Sequence, residues 1–273
     1  RPQALQFPFG PEAAMWAWRT LFFRPGVYEP QSERSVEWNR GAYLVQGLGH
    51  CGACHTPRNA LGAARNSQWL AGGMIPVQNW YAPALHSERE AGVASWPVEE
   101  VAELLQTGVA PRGSVLGPMA EVVAGSTQYL SDSDARAMAI YLRSLPPRIE
   151  QALAPATKMD ENVRARGAKL FETHCASCHG KSGEGERGAF PALAGNRAVL
   201  MDNPTNLVRA LLQGGYPPST AGHPRPHGMP PFQQLLSDTD MAALASYIRN
   251  AWGNAAAPVA TIEVHRVRER RSP

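Results

Sequence analysis

Cysteine is scarce in this 273-residue chain: there are four, and all of them fall in two short runs. No stretch reaches the roughly 18–20 uncharged apolar residues that a membrane span needs. A formal net charge of +3 is too small to argue for a nucleic-acid partner. Nothing in the pattern suggests a βαβ unit. What is plentiful is punctuation: 25 glycines and 24 prolines imply many loops between short helices. With 44% apolar and 18% charged residues the chain is globular rather than disordered, and long enough for two ordinary domains. It opens on Arg1 with no secretory leader ahead of it, which reads as a processed product or a fragment.

The four cysteines stand in Cys51-Gly-Ala-Cys54-His55 and Cys175-Ala-Ser-Cys178-His179. A CxxCH run is the attachment site of a c-type haem: two thiols add to porphyrin vinyl groups and the adjoining histidine reaches the iron. Two disulfides would leave the histidine after each pair unexplained. A paired CxxC zinc site has its halves roughly 15–20 residues apart, whereas here 120 residues intervene. A thioredoxin-like pair belongs beside a βαβ unit. The expected cofactors are therefore two covalently bound haem c groups. Such attachment takes place on the outer side of the bacterial inner membrane, which puts the chain in the periplasm.

The runs sit inside an internal repeat. Arg40-Gly-Ala-Tyr-Leu-Val45 precedes the first CxxCH and Arg166-Gly-Ala-Lys-Leu-Phe171 the second, each with apolar residues at helical spacing. Downstream, the segment from Leu130 to Leu142 matches that from Leu236 to Ile248 almost position for position. Ser131 and Ser237 are placed to cap these helices, with Asp134 and Asp240 three residues on, where the N-terminal dipole favours a negative charge. Pro146 and Pro147 end the first closing helix and Gly253 the second. The expected fold is all-α. The expected organisation is an apolar N-terminal arm (1–35), one haem domain (36–147), a linker (148–159), a second haem domain (160–256) and a basic tail (257–273) taken as solvated or disordered. The arm carries an apolar run over residues 13–23 that could lie in a membrane interface or pack on the chain's own domains.

His55 and His179 fill the proximal iron positions. Distal ligands are expected on a loop before each closing helix. Met229, in Gly228-Met229-Pro230-Pro231-Phe232, fits the second haem, because the prolines would hold that loop stiff. Met119, in Gly117-Pro118-Met119, is favoured for the first. Its rival is Met74, only 19 residues after His55. His50 and His174 adjoin the attachment cysteines and read as surface or propionate neighbours. His223 and His227 flank Met229 and could replace it under some conditions. A proximal histidine usually donates its second ring N–H to an acceptor. The carbonyl of Pro191 suits His179, and Pro83 is its counterpart for His55. Trp80 and Tyr81 could hydrogen-bond a haem propionate or simply pack.

Together these residues resemble the membrane-associated cytochrome c subunit of bacterial alcohol, aldehyde and gluconate dehydrogenases. The likeness is clearest in Trp38-Asn-Arg-Gly-Ala-Tyr-Leu-Val-Gln-Gly-Leu-Gly-His-Cys-Gly-Ala-Cys-His-Thr-Pro-Arg-Asn59, Ser126-Thr-Gln-Tyr-Leu-Ser-Asp132, Phe190-Pro-Ala-Leu-Ala-Gly-Asn196 and Tyr247-Ile-Arg-Asn-Ala-Trp-Gly-Asn254. The family has three class I cytochrome c domains, and this chain is similar to the second and third. The apolar arm looks like the family's connection after the first haem domain, which would be absent here. The resemblance implies an electron-transfer subunit rather than an enzyme. Its donor would be a dehydrogenase catalytic subunit carrying pyrroloquinoline quinone, flavin or molybdenum. The acceptor would be ubiquinone or another respiratory acceptor, such as an oxidase or a second cytochrome, at the outer face of the inner membrane. The rivals are a dihaem peroxidase, which needs a displaceable sixth ligand and adjacent acid/base groups, and a haem-based redox or gas sensor. Two well-placed methionines, and the want of a distal glutamate, argue against the first.

Overall fold

A computed structural model describes residues 12–148 and 159–270. Most of the expected linker, the first part of the arm and the last three residues lie outside them. Helix α1 (Glu12–Phe22) comes first, and α2 (Val36–Tyr43) begins the first half of the repeat. There follow α3 (Gly52–His55), a hairpin of β1 (Gly73–Met74) and β2 (Tyr81–Ala82), and α4 (Val98–Thr107). A second hairpin, β3 (Val109–Ala110) with β4 (Gly113–Ser114), leads to α5 (Pro118–Gly125) and α6 (Asp132–Arg143). The second half runs through α7 (Glu161–His174), α8 (Ala176–His179), α9 (Arg197–Leu200), α10 (Thr205–Gln213), α11 (Asp238–Asn250) and α12 (Thr261–Glu269). The all-α expectation needs only a small amendment, since the four strands among the described residues have two residues each.

Each half is organised by one helix crossing, and the repeat supplies its parts. At Gly41 a Cβ would sit 1.9 Å from the Ala137 carbonyl oxygen, so α2 and α6 touch main chain to main chain. Gly167 does the same for α7 against α11, where a Cβ would sit 2.4 Å from the Ala243 oxygen. The arginine before each glycine reaches across to the partner helix. Arg40 Nε donates to Asp134 at 2.8 Å and Arg166 Nε to Asp240 at 2.6 Å. Those aspartates occupy the first turn, and their own N–H groups are capped by Ser131 and Ser237 at 3.2 and 3.1 Å. The Arg-Gly pair and the Ser-x-x-Asp run are thus two sides of one joint. Hydrogen bonds from the arginines hold both carboxyls below their usual range.

Around each crossing lies a separate apolar core. In the first half Leu44, Val45, Val101, Leu105, Met138 and Leu142 are buried together. In the second the cluster includes Phe171, Val208, Leu211, Met241, Leu244 and Ile248. The halves differ where the first helix meets its CxxCH. Helix α7 runs regularly to His174, whereas α2 widens into a π-turn over Leu44–Leu48, with Gly49 N–H bonding to the Leu44 carbonyl at 2.7 Å.

The basic tail is a correction. Residues 261–269 form α12, and Val264 is fully buried in the second core. Arg268, counted in the sequence as a solvated charge, donates to Asp238 at 2.5 Å and to the Gln233 and Leu236 carbonyls at 2.6 and 2.9 Å. The tail folds because one face carries Val264 and Val267 while its arginine finds the start of α11. Replacing Arg268 by alanine should cost about 1–2 kcal/mol. Hydrogen exchange reads this directly: the Val264 and Val267 amides lose protection, and unchanged protection would show that the apolar face alone holds the helix.

Candidate haem-attachment sites

Both CxxCH runs fold into a single helical turn. His55 N–H bonds to the Cys51 carbonyl at 3.0 Å, and His179 N–H to the Cys175 carbonyl at 2.9 Å. Residues at i, i+3 and i+4 share a helix face, so the turn gathers two sulfurs and an imidazole on one side. All four cysteines are free thiols. Burial pushes the Cys51 and Cys175 thiols up to about 11. In the first turn Trp69 lies directly over Gly52, where a Cβ would meet the indole at 2.1 Å.

Each imidazole faces the carbonyl of a proline. His55 Nδ1 lies 2.7 Å from the Pro83 carbonyl oxygen, and His179 Nδ1 lies 2.9 Å from that of Pro191. A carbonyl only accepts, so Nδ1 carries the proton and Nε2 keeps its lone pair for a metal. Burial lowers the pKa of both rings, against the opposing effect of that hydrogen bond, and so favours the neutral form a ligand needs.

Two residues that no sequence pattern marked hold these acceptors. Glu90 accepts from the Ala84 N–H at 2.6 Å, which anchors the chain just after Pro83. Buried Asn254 does the equivalent after Pro191, donating to the Leu193 carbonyl at 3.0 Å and accepting from Gly195 N–H at 2.8 Å. Glu90 also takes up the hydroxyl of Tyr81. The tyrosine hydroxyl donates to the Glu90 carboxylate at 3.0 Å, so its one proton is committed, and burial with the neighbouring carboxylate raises its pKa. Trp80 packs instead of projecting: its ring meets the position a Cβ of Gly117 would take at 2.9 Å, and Arg209 lies over it at 5.0 Å.

The three methionines sit differently. Met229 is in a loop, half-buried against the second core, with its N–H and carbonyl paired to those of Gly215 at 2.8 and 3.0 Å. Met119 is half-buried against the first core, but stands in the first turn of α5 rather than on the expected loop, because Pro118 starts that helix. Met74 is 39% exposed in β1, with the Asn203 amide of the second half 3.9 Å from its sulfur. It lines a cleft with Asn79, Asn203 and Arg266. His50 is exposed, and His174 lies against the Phe232 ring. His227 lies against Phe190, and His223 Nε2 is 3.0 Å from the Gly188 carbonyl. Among the described residues no three or more His, Cys, Asp or Glu side chains are gathered as a metal cluster.

A turn presenting two thiols beside a carbonyl-anchored histidine is the signature of a cytochrome c, and residues 164–252 match the cytochrome c family model. These residues belong to the cytochrome c family, whose domains bind covalent haem c. The relatives that the chain resembles include cytochrome c subunits of dehydrogenases. The chain is 37% identical over 291 residues to the cytochrome c subunit of alcohol dehydrogenase (quinone) from Gluconobacter oxydans (strain 621H), covering 100% of this chain and 59% of the relative. It is 34% identical over 291 residues to the fructose dehydrogenase cytochrome subunit of Gluconobacter japonicus, covering 97% and 59%. A diheme cytochrome c-type protein of Cereibacter sphaeroides is 40% identical over 146 residues, 53% of this chain and 47% of that one. The chain thus spans about three-fifths of the first two relatives.

The residues present fit haem c. The thiol pair is unbridged, and each imidazole is fixed by Nδ1 with Nε2 left to coordinate.

Proposed function

We propose that this chain is a dihaem electron carrier made of two tandem cytochrome c domains, one over residues 36–147 and the other starting at 160. The observation that carries the reading is the duplicated pairing of a CxxCH histidine with a proline carbonyl, at 2.7 and 2.9 Å. Each bound haem iron supplies one-electron cycling between the ferric and ferrous states. Cys51 and Cys54, and Cys175 and Cys178, anchor the two groups. His55 and His179 hold the proximal positions, Met119 and Met229 the distal ones. Pro83 and Pro191 fix the imidazole rings. A methionine sulfur favours ferrous iron and sets a fairly high potential. The two backbone hydrogen bonds between Met229 and Gly215 hold the methionine loop in place, which supports Met229 as a ligand.

The donor in this reading is a periplasmic dehydrogenase catalytic subunit, and the acceptor ubiquinone or another respiratory carrier. Among the described residues no helix is long and apolar enough to cross a membrane. Contact with the outer face of the inner membrane would fall to α1, where Trp16 and Leu21 are 71% and 69% exposed.

The direct test is haem stoichiometry, from the mass of the intact protein and the pyridine haemochrome. Two haems per chain are expected. The double change Cys175→Ser with Cys178→Ser should leave one, as should Cys51→Ser with Cys54→Ser. A parent protein carrying a single haem would overturn the reading.

A further inference from the structure

The segment that carries Met119 reaches into the other half of the molecule. Leu116, three residues before it, rests on Gly215, where a Cβ would sit 3.0 Å from Leu116 Cδ1. Gly215 is the residue whose N–H and carbonyl pair with those of Met229. Its neighbour Gly214 adopts φ +64°, and a Cβ there would meet the Met229 carbonyl oxygen at 2.2 Å and Pro230 at 2.8 Å. The Met229 main chain therefore lies directly on a two-glycine cradle at the C-terminal end of α10. Only glycine permits that approach.

Other contacts hold the cradle against the first half. Pro218 fills the space beside Gly108, where a Cβ would meet its Cγ at 2.3 Å. Thr220 Oγ1 donates to the Thr107 carbonyl at 3.3 Å. Trp80, packed on Gly117, lies under Arg209 of α10. The cradle is thus braced from both Leu116 and Gly117, the residues that lead into the Met119 turn.

From this geometry we infer that Leu116 is a positioning residue for the second haem. By filling the seam against Gly215 it holds the Gly214–Gly215 cradle, and so the Met229 sulfur, although it belongs to the first half. The inference rests on Met229 being the distal ligand. Shortening Leu116 leaves the cradle free to move away from Met229, which weakens the methionine bond at the second iron. The two distal ligands are thereby mechanically linked, since one segment carries Met119 and supports Met229.

The test uses the full holoprotein and exogenous imidazole. Displacement of methionine from ferric iron is followed by loss of its long-wavelength absorbance, with the second haem assigned by the signal that Met229→Ala removes. Leu116→Ala is expected to speed displacement at the second haem about three- to thirtyfold, the range that contacts along such a connection carry. Leu116→Val, a smaller truncation that guards against failure to fold, should give an intermediate rate, and Leu116→Ile should restore it. A merely structural role would lower the melting temperature of both truncations and leave the second-haem rate unmoved, which overturns the inference. If the parent shows no methionine signal at the second haem, the ligand assignment falls and the inference with it. If that signal is present but indifferent to residue 116, the inference alone falls.

Discussion

Replacing Gly41 by alanine is expected to cost the first half about 3 kcal/mol or more, and to lower its melting temperature by about 10–20 °C. Alanine in a helix interior ordinarily gains about 1 kcal/mol over glycine, so a loss of this size isolates the steric conflict. The added methyl would stand 1.9 Å from the Ala137 carbonyl oxygen. That oxygen is part of α6 and cannot rotate away as a side chain would. Relief requires the two helices to separate, which opens the core formed by Leu44, Val45 and Met138. Gly167→Ala should be the milder of the pair, because its nearest obstacle, the Ala243 oxygen, is at 2.4 Å. Gly125 provides the control: nothing lies within 4 Å of a Cβ there, and alanine should be neutral or slightly stabilising. Thermal melts of the three holoproteins decide the matter. Equal melting temperatures for Gly41→Ala and Gly125→Ala would show that the crossing adapts at little cost.

Met229→Ala and Met119→Ala should each abolish the methionine–iron absorbance of one haem and lower its potential by a few tenths of a volt, since the axial ligand is the main lever on iron potential. Met74→Ala should change neither. The contrast follows from where the sulfurs sit. Met119 and Met229 are packed against the cores of their own halves. Met74 lies in β1, with its sulfur beside the Asn203 amide on the other side of the seam. Spectroelectrochemical titration of the three variants separates the possibilities. Loss of the first-haem signal in Met74→Ala, with its survival in Met119→Ala, would reverse the assignment.

Much of each attachment site was legible because its parts are consecutive. Five residues define the turn, and a Pro-Ala-Leu run, 28 residues after His55 and 12 after His179, offers the acceptor for each histidine. The helix crossing was legible only as a repeated pattern: Arg-Gly and Ser-x-x-Asp recur, but that they meet across about 75 to 95 residues is a tertiary fact. Glu90 and Asn254 were missed because a carboxylate or amide that satisfies distant backbone groups has no spacing of its own. The α12 helix was missed for a different reason. Its arginines read as a solvated run, and only the fold brings Asp238 to Arg268. The seam between the halves was equally hidden, since Leu116 and Gly215 are ordinary residues until the chain sets one upon the other.

Helix α1 is tethered to the first half through one of its tryptophans. Trp18 Nε1 donates to the Leu61 carbonyl at 2.8 Å, and Arg58, in the same loop, donates to the Ala53 carbonyl within the first CxxCH at 2.8 Å. The arm is therefore registered to the first attachment turn through one short loop, while Trp16, Leu21 and Phe23 face outward. Any surface that covers those three side chains meets the molecule at a fixed bearing. What the arm contributes in that event is orientation more than adhesion: every docked copy would turn the same edge of its first site toward the surface and leave the same edge free.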